Sequence, residues 1–317
     1  MASWIKEIIK KKSFLLILLI LISFLRITSG EWEIPVSEVI KFLLRTDGSA
    51  QSVIIRSVRL PRILSSIGVG GLLSVAGVVL QALLANPLAE PYTLGIASGA
   101  AFGASIAIMA GLAITPFSFL GALFALLITG IISRGGNEKL ILAGVISNSI
   151  LSAGVTFIKS IAGDKLGAVV LWLMGSISGA GIKDVYLILA GIILILPAAL
   201  IFAPALDAMS LGKDRAAVLG FNENLTRMVL LILISMSVGL AVSSFGIIGF
   251  VGLAVPHISR SLTGASHRNL ILHASLTGAC VLLIADGAAQ YLGELPVGVL
   301  TAMTGGPFLL MRLGIRN

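Results

Sequence analysis

The 317-residue chain is 57% apolar and 11% charged, with a mean hydropathy of +1.08, whereas about a quarter of a soluble globular domain is charged. Such a body cannot be wetted all round, so a soluble enzyme or a separate globular domain is excluded. The formal charge of +8 comes from basic residues scattered through short loops without interleaved aromatics, which excludes a nucleic-acid surface.

Apolar runs of about 17 to 25 residues, enough to cross a bilayer, recur along the whole chain. They predict an all-α polytopic membrane protein of about ten transmembrane helices, a single permease-like domain over 1–317. The spans fall near 13–28, 62–82, 93–112, 116–133, 139–159, 184–203, 228–245, 247–262, 270–289 and 296–313. Lys10-Lys11-Lys12 followed by Ser13 to Leu25 has the look of a signal peptide, but no small-residue cleavage site follows at Arg26 to Gly30. It reads as a retained, short first span whose flanking cations snorkel to the interfaces.

An even number of spans puts both termini on one side. If the lysine-rich N-terminus is cytoplasmic, Lys139, Lys213, Arg215, Arg227, Arg260 and Arg268 join it there, as the positive-inside rule expects. Arg56, Arg59 and Arg62 break the rule together, on the opposite face at the entry to the second span.

Three connections exceed a tight turn. The outer one at 29–60 carries helical spacing over Val36 to Leu44, which predicts an interfacial helix. In the outer connection at 160–183, Leu166 to Met174 is too short to span. The inner one at 204–227 is polar and predicts one or two short helices. In the third span Gly95, Gly99, Gly103, Ala107 and Gly111 recur every fourth position, a smooth face for close helix packing.

No G-x-x-x-x-G-K-[ST] loop occurs, so nucleotide hydrolysis belongs to another chain. His257, His267 and His273 lack metal-ligand or triad spacing and read as packing or capping groups; Cys280 reads as apolar filler. No metal site or resident cofactor is expected. Almost nothing ionisable lies inside the spans except Asp286, read as a cap, an interfacial contact or an ion-coupling group. Ser147 and Asn148 in the fifth span, with Ser149 and Ser152, either bond between helices or line a pathway.

Several ordered motifs bear on function. They are Arg59-Leu60-Pro61-Arg62, Asn86-Pro87-Leu88-Ala89-Glu90-Pro91, Gly246-Ile247-Ile248-Gly249-Phe250-Val251-Gly252-Leu253, Pro256-His257, Ala285-Asp286, Glu294-Leu295-Pro296-Val297-Gly298 and Gly305-Gly306-Pro307-Phe308. Together, over essentially the whole length, they resemble the FecCD-type permeases of ABC importers for iron(III) siderophores, haem and cobalamin. The resemblance implies a type II importer permease fold in the cytoplasmic membrane of a bacterium or archaeon, with no enzymatic activity of its own. Its implied partners are a second permease copy, two ATPase subunits carrying ATP and Mg, an extracytoplasmic substrate-binding protein and membrane lipid. It implies docking of the binding protein at Arg59 and Arg62, with Arg56 beside them, as exposed guanidinium groups meeting carboxylates. It also implies ATPase coupling through Ala216, Leu219 and Gly220, and a cytoplasmic gate at Asn86, Leu88, Asn137 and Glu138. The chain departs from the family pattern with Gln290 where a basic residue often stands, with Lys213 in place of an acid, and with Glu138 in place of a small hydroxylic residue. The rival function is an ion-gradient-driven secondary transporter.

Overall fold

The computed structural model describes residues 11–28, 34–35, 39, 49–133 and 137–314, and among these it is helical with no strand. The long helices are α1 (Lys12–Thr28), α2 (Ala50–Leu83), α3 (Ile96–Ala110), α4 (Ile114–Ile132) and α5 (Asn137–Ile161). Then come the short α6 (Leu166–Leu173), the long α7 (Ile182–Ile201), and the short α8 (Ala203–Ser210) and α9 (Lys213–Val218). The last four are α10 (Glu223–Phe245), α11 (Val251–Thr263), α12 (His267–Tyr291) and α13 (Val297–Gly314).

Each predicted span falls on a helix. By length and composition, six among the described residues can cross a membrane alone: α2, α4, α5, α7, α10 and α12. The eighth predicted span begins later than expected. Gly246 and Phe250 both take positive φ, +70° and +66°, which interrupts the helix and leaves α11 only 13 residues long, about 20 Å. The connection between the first two spans is also shorter than predicted, because α2 starts at Ala50. There Ser49 caps it by accepting from the Ser52 amide at 3.3 Å, and a π-helical turn over Ile54–Arg59 runs into the rest of the helix. The predicted interfacial helix at 36–44 lies, apart from the buried Val39, outside the described residues.

Helix α2 is the axis of the bundle. Its apolar window is 89% buried, against 22% for α4 and for α7, so α2 is wrapped by protein while α4 and α7 present their sides outward. An all-round apolar helix has to be enclosed, and small residues let its neighbours approach. The backbone of α12 at Gly278 lies where a Cβ on Gly70 would sit, and α11 at Gly252 does the same to Gly77. The middle of the predicted small-residue face of α3 packs as expected, a Cβ on Gly99 running into the Gly121 carbonyl of α4, whereas Gly111, past the helix end at φ +68°, has nothing within 4 Å.

Helix α1 runs antiparallel to α2. Lys12 Nζ donates to Asn269 Oδ1 at one end (3.0 Å), and Arg26 meets α12 at the other. The bundle therefore has an arginine end and an opposite end, where α8, α9 and the 84–90 connection gather. Short α6 does not span, as predicted. It leads to a junction of irregular backbone in which Ser176 N donates to Phe245 O (2.9 Å) and Gly298 N to Gly175 O (3.1 Å). Non-helical backbone is tolerated at such a place because it is enclosed and paired.

Candidate docking, pathway and coupling sites

At the arginine end the charges pair inside the chain. Arg62 Nε donates to both oxygens of Asp286 at 3.1 and 3.0 Å, and its two Nη groups fork onto Glu294 at 2.9 Å each. Arg26 adds a second cation to Asp286 at 2.8 Å and donates its other Nη to Gln290. Arg59 donates to the Ile27 carbonyl at 2.7 Å. The expectation of exposed guanidinium groups is therefore corrected: Arg59 and Arg62 are 8% and 6% exposed, and Arg56 is half-buried. The physical reason is Asp286. A carboxylate 1% exposed in a membrane-spanning helix requires cations, and Arg26 and Arg62 supply them. Arg26 and Glu294 are the members of this network that sequence reasoning did not place. The signal was present, since charges at matching depth in two spans have to find each other. Gln290, the departure from the basic pattern, is explained locally as the acceptor for Arg26.

Helix α5 separates its two polar candidates. Ser147 is fully buried, accepting from Thr129 Oγ1 at 3.0 Å, while the same hydroxyl group of Thr129 also reaches the Leu94 carbonyl at 3.0 Å. Pathway lining by Ser147 is thus corrected to helix packing. Asn148, about 100° further round the helix, is exposed, as are Ser149, Ser152 and Thr156. These four make a polar stripe on the outside of the chain, and the hydroxyls of Ser149 and Thr156 turn back to carbonyls of their own helix. Intrahelical bonding lowers the cost of a polar face but does not remove it.

At the opposite end the 84–90 connection is a set of turns. Leu88 N donates to Asn86 Oδ1 at 2.9 Å, and Leu88 itself is exposed. Glu90 follows, half-buried; burial raises its carboxyl above the ordinary glutamate range, partly offset by the Phe250 amide. The Tyr92 hydroxyl, driven upward by burial and by Glu90, donates to Ile248 O at 2.9 Å. The connection is in this way tied to the irregular segment before α11. Glu138 is exposed in the first turn of α5, where the helix dipole favours a carboxylate; the side chain of Asn137 lies outside the described residues. A cavity of about 540 Å³ opens here, lined by Gln81, Asn86, Arg227, Arg260 and His267 among others. His267 is a packed, buried group, one of the two roles the sequence suggested, and Asp207 caps the start of α12, its Oδ1 holding the His267 amide and Nδ1 at 2.9 and 2.6 Å.

The predicted inner connection holds two short helices. On α9, Ala216 is fully buried, whereas Leu219 is 59% exposed and Val218 87%. Gly220 turns the chain at φ +83°. Leu211, Arg215, Val218 and Leu219 line one shallow cleft. Val218 and Leu211 were missed by sequence reasoning; the spacing of three puts Val218 on the Arg215 face of α9, whereas Leu211 ends α8 and is brought there by the turn at Gly212, φ +110°.

The geometry matches known proteins over nearly the whole chain. Residues 15–314 match the model of the FecCD transport family. This chain belongs to the FecCD family of ABC transporter permeases. It is 38% identical over 273 residues to the hemin transport system permease protein HmuU of Yersinia pestis, covering 80% of this chain and 81% of that one. To the cobalamin import system permease protein BtuC of Halobacterium salinarum it is 36% identical over 274 residues, covering 84% and 74%. Among solved structures, an inward-facing conformation described as a metal-chelate type ABC transporter superposes with a TM-score of 0.84 at 31% identity, covering 94% and 96%. The complex of PsaBC from Streptococcus pneumoniae with Fab shares the fold at a TM-score of 0.61 and 20% identity.

For a FecCD permease the chemistry of these sites is that of contact and movement. Among the described residues no cluster of His, Cys, Asp or Glu could hold a metal ion. The polar stripe of α5 bears hydroxyl and amide groups and no charge.

Proposed function

We propose that this permease imports a metal chelate across the cytoplasmic membrane by alternating access, an iron(III) siderophore first, with haem and cobalamin as the other candidates. Two copies pair around a central pathway, and two ATPase subunits engage the exposed Leu211, Val218 and Leu219 face beside Ala216 and Gly220. A substrate-binding protein docks at the corner of Arg56, Arg59 and Arg62, and Asn86, Leu88, Asn137 and Glu138 close the cytoplasmic end. Both termini face the cytoplasm. The observation that carries the reading is the outward polar stripe at Asn148, Ser149, Ser152 and Thr156, which is costly against lipid and favourable against a wetted pathway shared with a second copy. ATP drives the cycle because closed ATPases bind one permease state better than the other.

The test is reconstitution of the permease with its ATPase and binding protein in liposomes, offering labelled iron chelate, haem and cobalamin. ATP-dependent accumulation of one of them is expected. Accumulation driven by an ion gradient without the ATPase would sink the reading in favour of a secondary transporter.

A further inference from the structure

Two acids hold Arg62 in different ways. Asp286 is 1% exposed, is shared with Arg26 and takes the Nε side. Glu294 is 46% exposed and takes both Nη groups at 2.9 Å, the face nearest solvent. Among the described residues its carboxylate bonds to Arg62 alone. Its backbone is pinned on both sides, with Gly293 N on Gln290 O (3.2 Å) and Leu295 N on Ala289 O (3.0 Å), and it stands at φ +60°. A non-glycine residue is strained there. The turn thus fixes the Glu294 backbone while leaving its side chain free to rotate into solvent.

We propose that Glu294 is a built-in stand-in for a carboxylate of the docking binding protein. It covers the Arg62 fork in the undocked permease and swings out when an acidic side chain of the partner takes its place. The proposal rests on the docking reading above and reconciles it with the burial of Arg62: the guanidinium is covered, not exposed, and the cover is exchangeable. One bidentate carboxylate replaces another, so the guanidinium is never left bare. Because the exchange is like for like, the partner is held loosely enough to leave once its cargo is delivered. A permanently uncovered fork would chiefly slow release, since the strength of a fully paired charge at an interface is read in the off-rate.

The experiment measures binding-protein association with the complete permease–ATPase complex in nanodiscs. Glu294→Gln is expected to slow dissociation about 2- to 5-fold, the size of effect a partly exposed ion pair supports, and to do so in high salt as well as low. Asp164→Asn changes the charge of an exposed outer residue equally and is expected to alter only the association rate, an effect lost in high salt. Glu294→Gly, which relieves the positive φ, keeps the test valid if Gln perturbs the turn, and has to match it. Arg56→Glu reports the docking reading independently. If it weakens binding while both Glu294 variants leave dissociation unchanged or faster, the stand-in is overturned and docking stands. If none of these variants alters binding, the docking corner itself is wrong.

Discussion

Arg62 and Asp286 stand 224 residues apart in sequence, yet the guanidinium Nε donates to both oxygens of the carboxylate inside the protein. The pair ties α2 to the last turns of α12, and Arg26 brings in α1. Removing Asp286 leaves two buried cations facing each other. Asp286→Ala is therefore expected to destabilise the detergent-solubilised permease by about 3–5 kcal/mol. Glu294→Ala, at the exposed edge of the same network, is expected to lose less than about 1 kcal/mol. Thermal unfolding checks both, and equal melting of Asp286→Ala and wild type would refute the assignment of the network as a structural tie.

Helix spacing gives a second pair of outcomes. Gly99 has the Gly121 carbonyl where a Cβ would go, whereas Gly130 on α4 has nothing within 4 Å. Gly99→Ala is expected to force α3 and α4 apart and lower the melting midpoint. Gly130→Ala is expected to be neutral or to stabilise by up to about 1 kcal/mol, through helix propensity alone. Reversal of that order would contradict the packing.

What the sequence made legible follows from the range of each force. Apolar length and the four-residue glycine period are local, so the spans and the existence of a packing face on α3 could be read directly. The partners of Asp286 were harder to read, because Arg26 and Arg62 reach it only after α1, α2 and α12 are assembled. For the same reason Ser147 and Asn148 looked alike in sequence: one residue of helical rotation turns the first toward Thr129 and the second away. The break before α11 was hidden because Gly246 to Phe250 is apolar, and its irregular path is held by Tyr92 and the 172–176 segment from elsewhere in the chain.

Glu90 supplies a pH dependence with a definite sign. Burial raises its carboxyl above the ordinary range, so the folded state keeps a proton that the unfolded chain has already released. That contribution to stability is complete below the ordinary glutamate range and is lost as pH rises through the raised folded value. Glu90→Gln removes the titration and keeps an acceptor for the Phe250 amide. Its melting midpoint is expected to exceed wild type at about pH 8 and to converge with it at about pH 4. A constant difference across that window would exclude Glu90 as the titrating group.

The exposure of α9 divides the coupling residues. Val218→Glu and Leu219→Glu alter side chains that project outward, and are expected to reduce recovery of the ATPase in pull-downs at least about 10-fold, as for a central apolar anchor, with little change in permease melting. Ala216 is fully buried, so Ala216→Glu is expected to lower the melting midpoint itself. Full ATPase recovery with both outward variants would remove the coupling assignment.

The two faces of α5 separate transport from stability. Asn148→Leu with Ser152→Ala replaces exposed polar groups by apolar ones of comparable bulk, and the mutant helix remains compatible with a membrane. If that face lines a wetted pathway, the double variant assembles and melts like wild type while ATP-driven uptake in liposomes falls, because a solute that loses its succession of weak polar contacts meets a desolvation barrier. Ser147→Ala does the opposite. It removes the acceptor of Thr129, whose hydroxyl retains the Leu94 carbonyl, so the expected loss is about 0.5–1.5 kcal/mol of stability with uptake per folded complex unchanged. Uptake that follows Ser147 and ignores Asn148 and Ser152 would place the pathway on the wrong side of the helix, and with it the pairing of two permeases around that stripe.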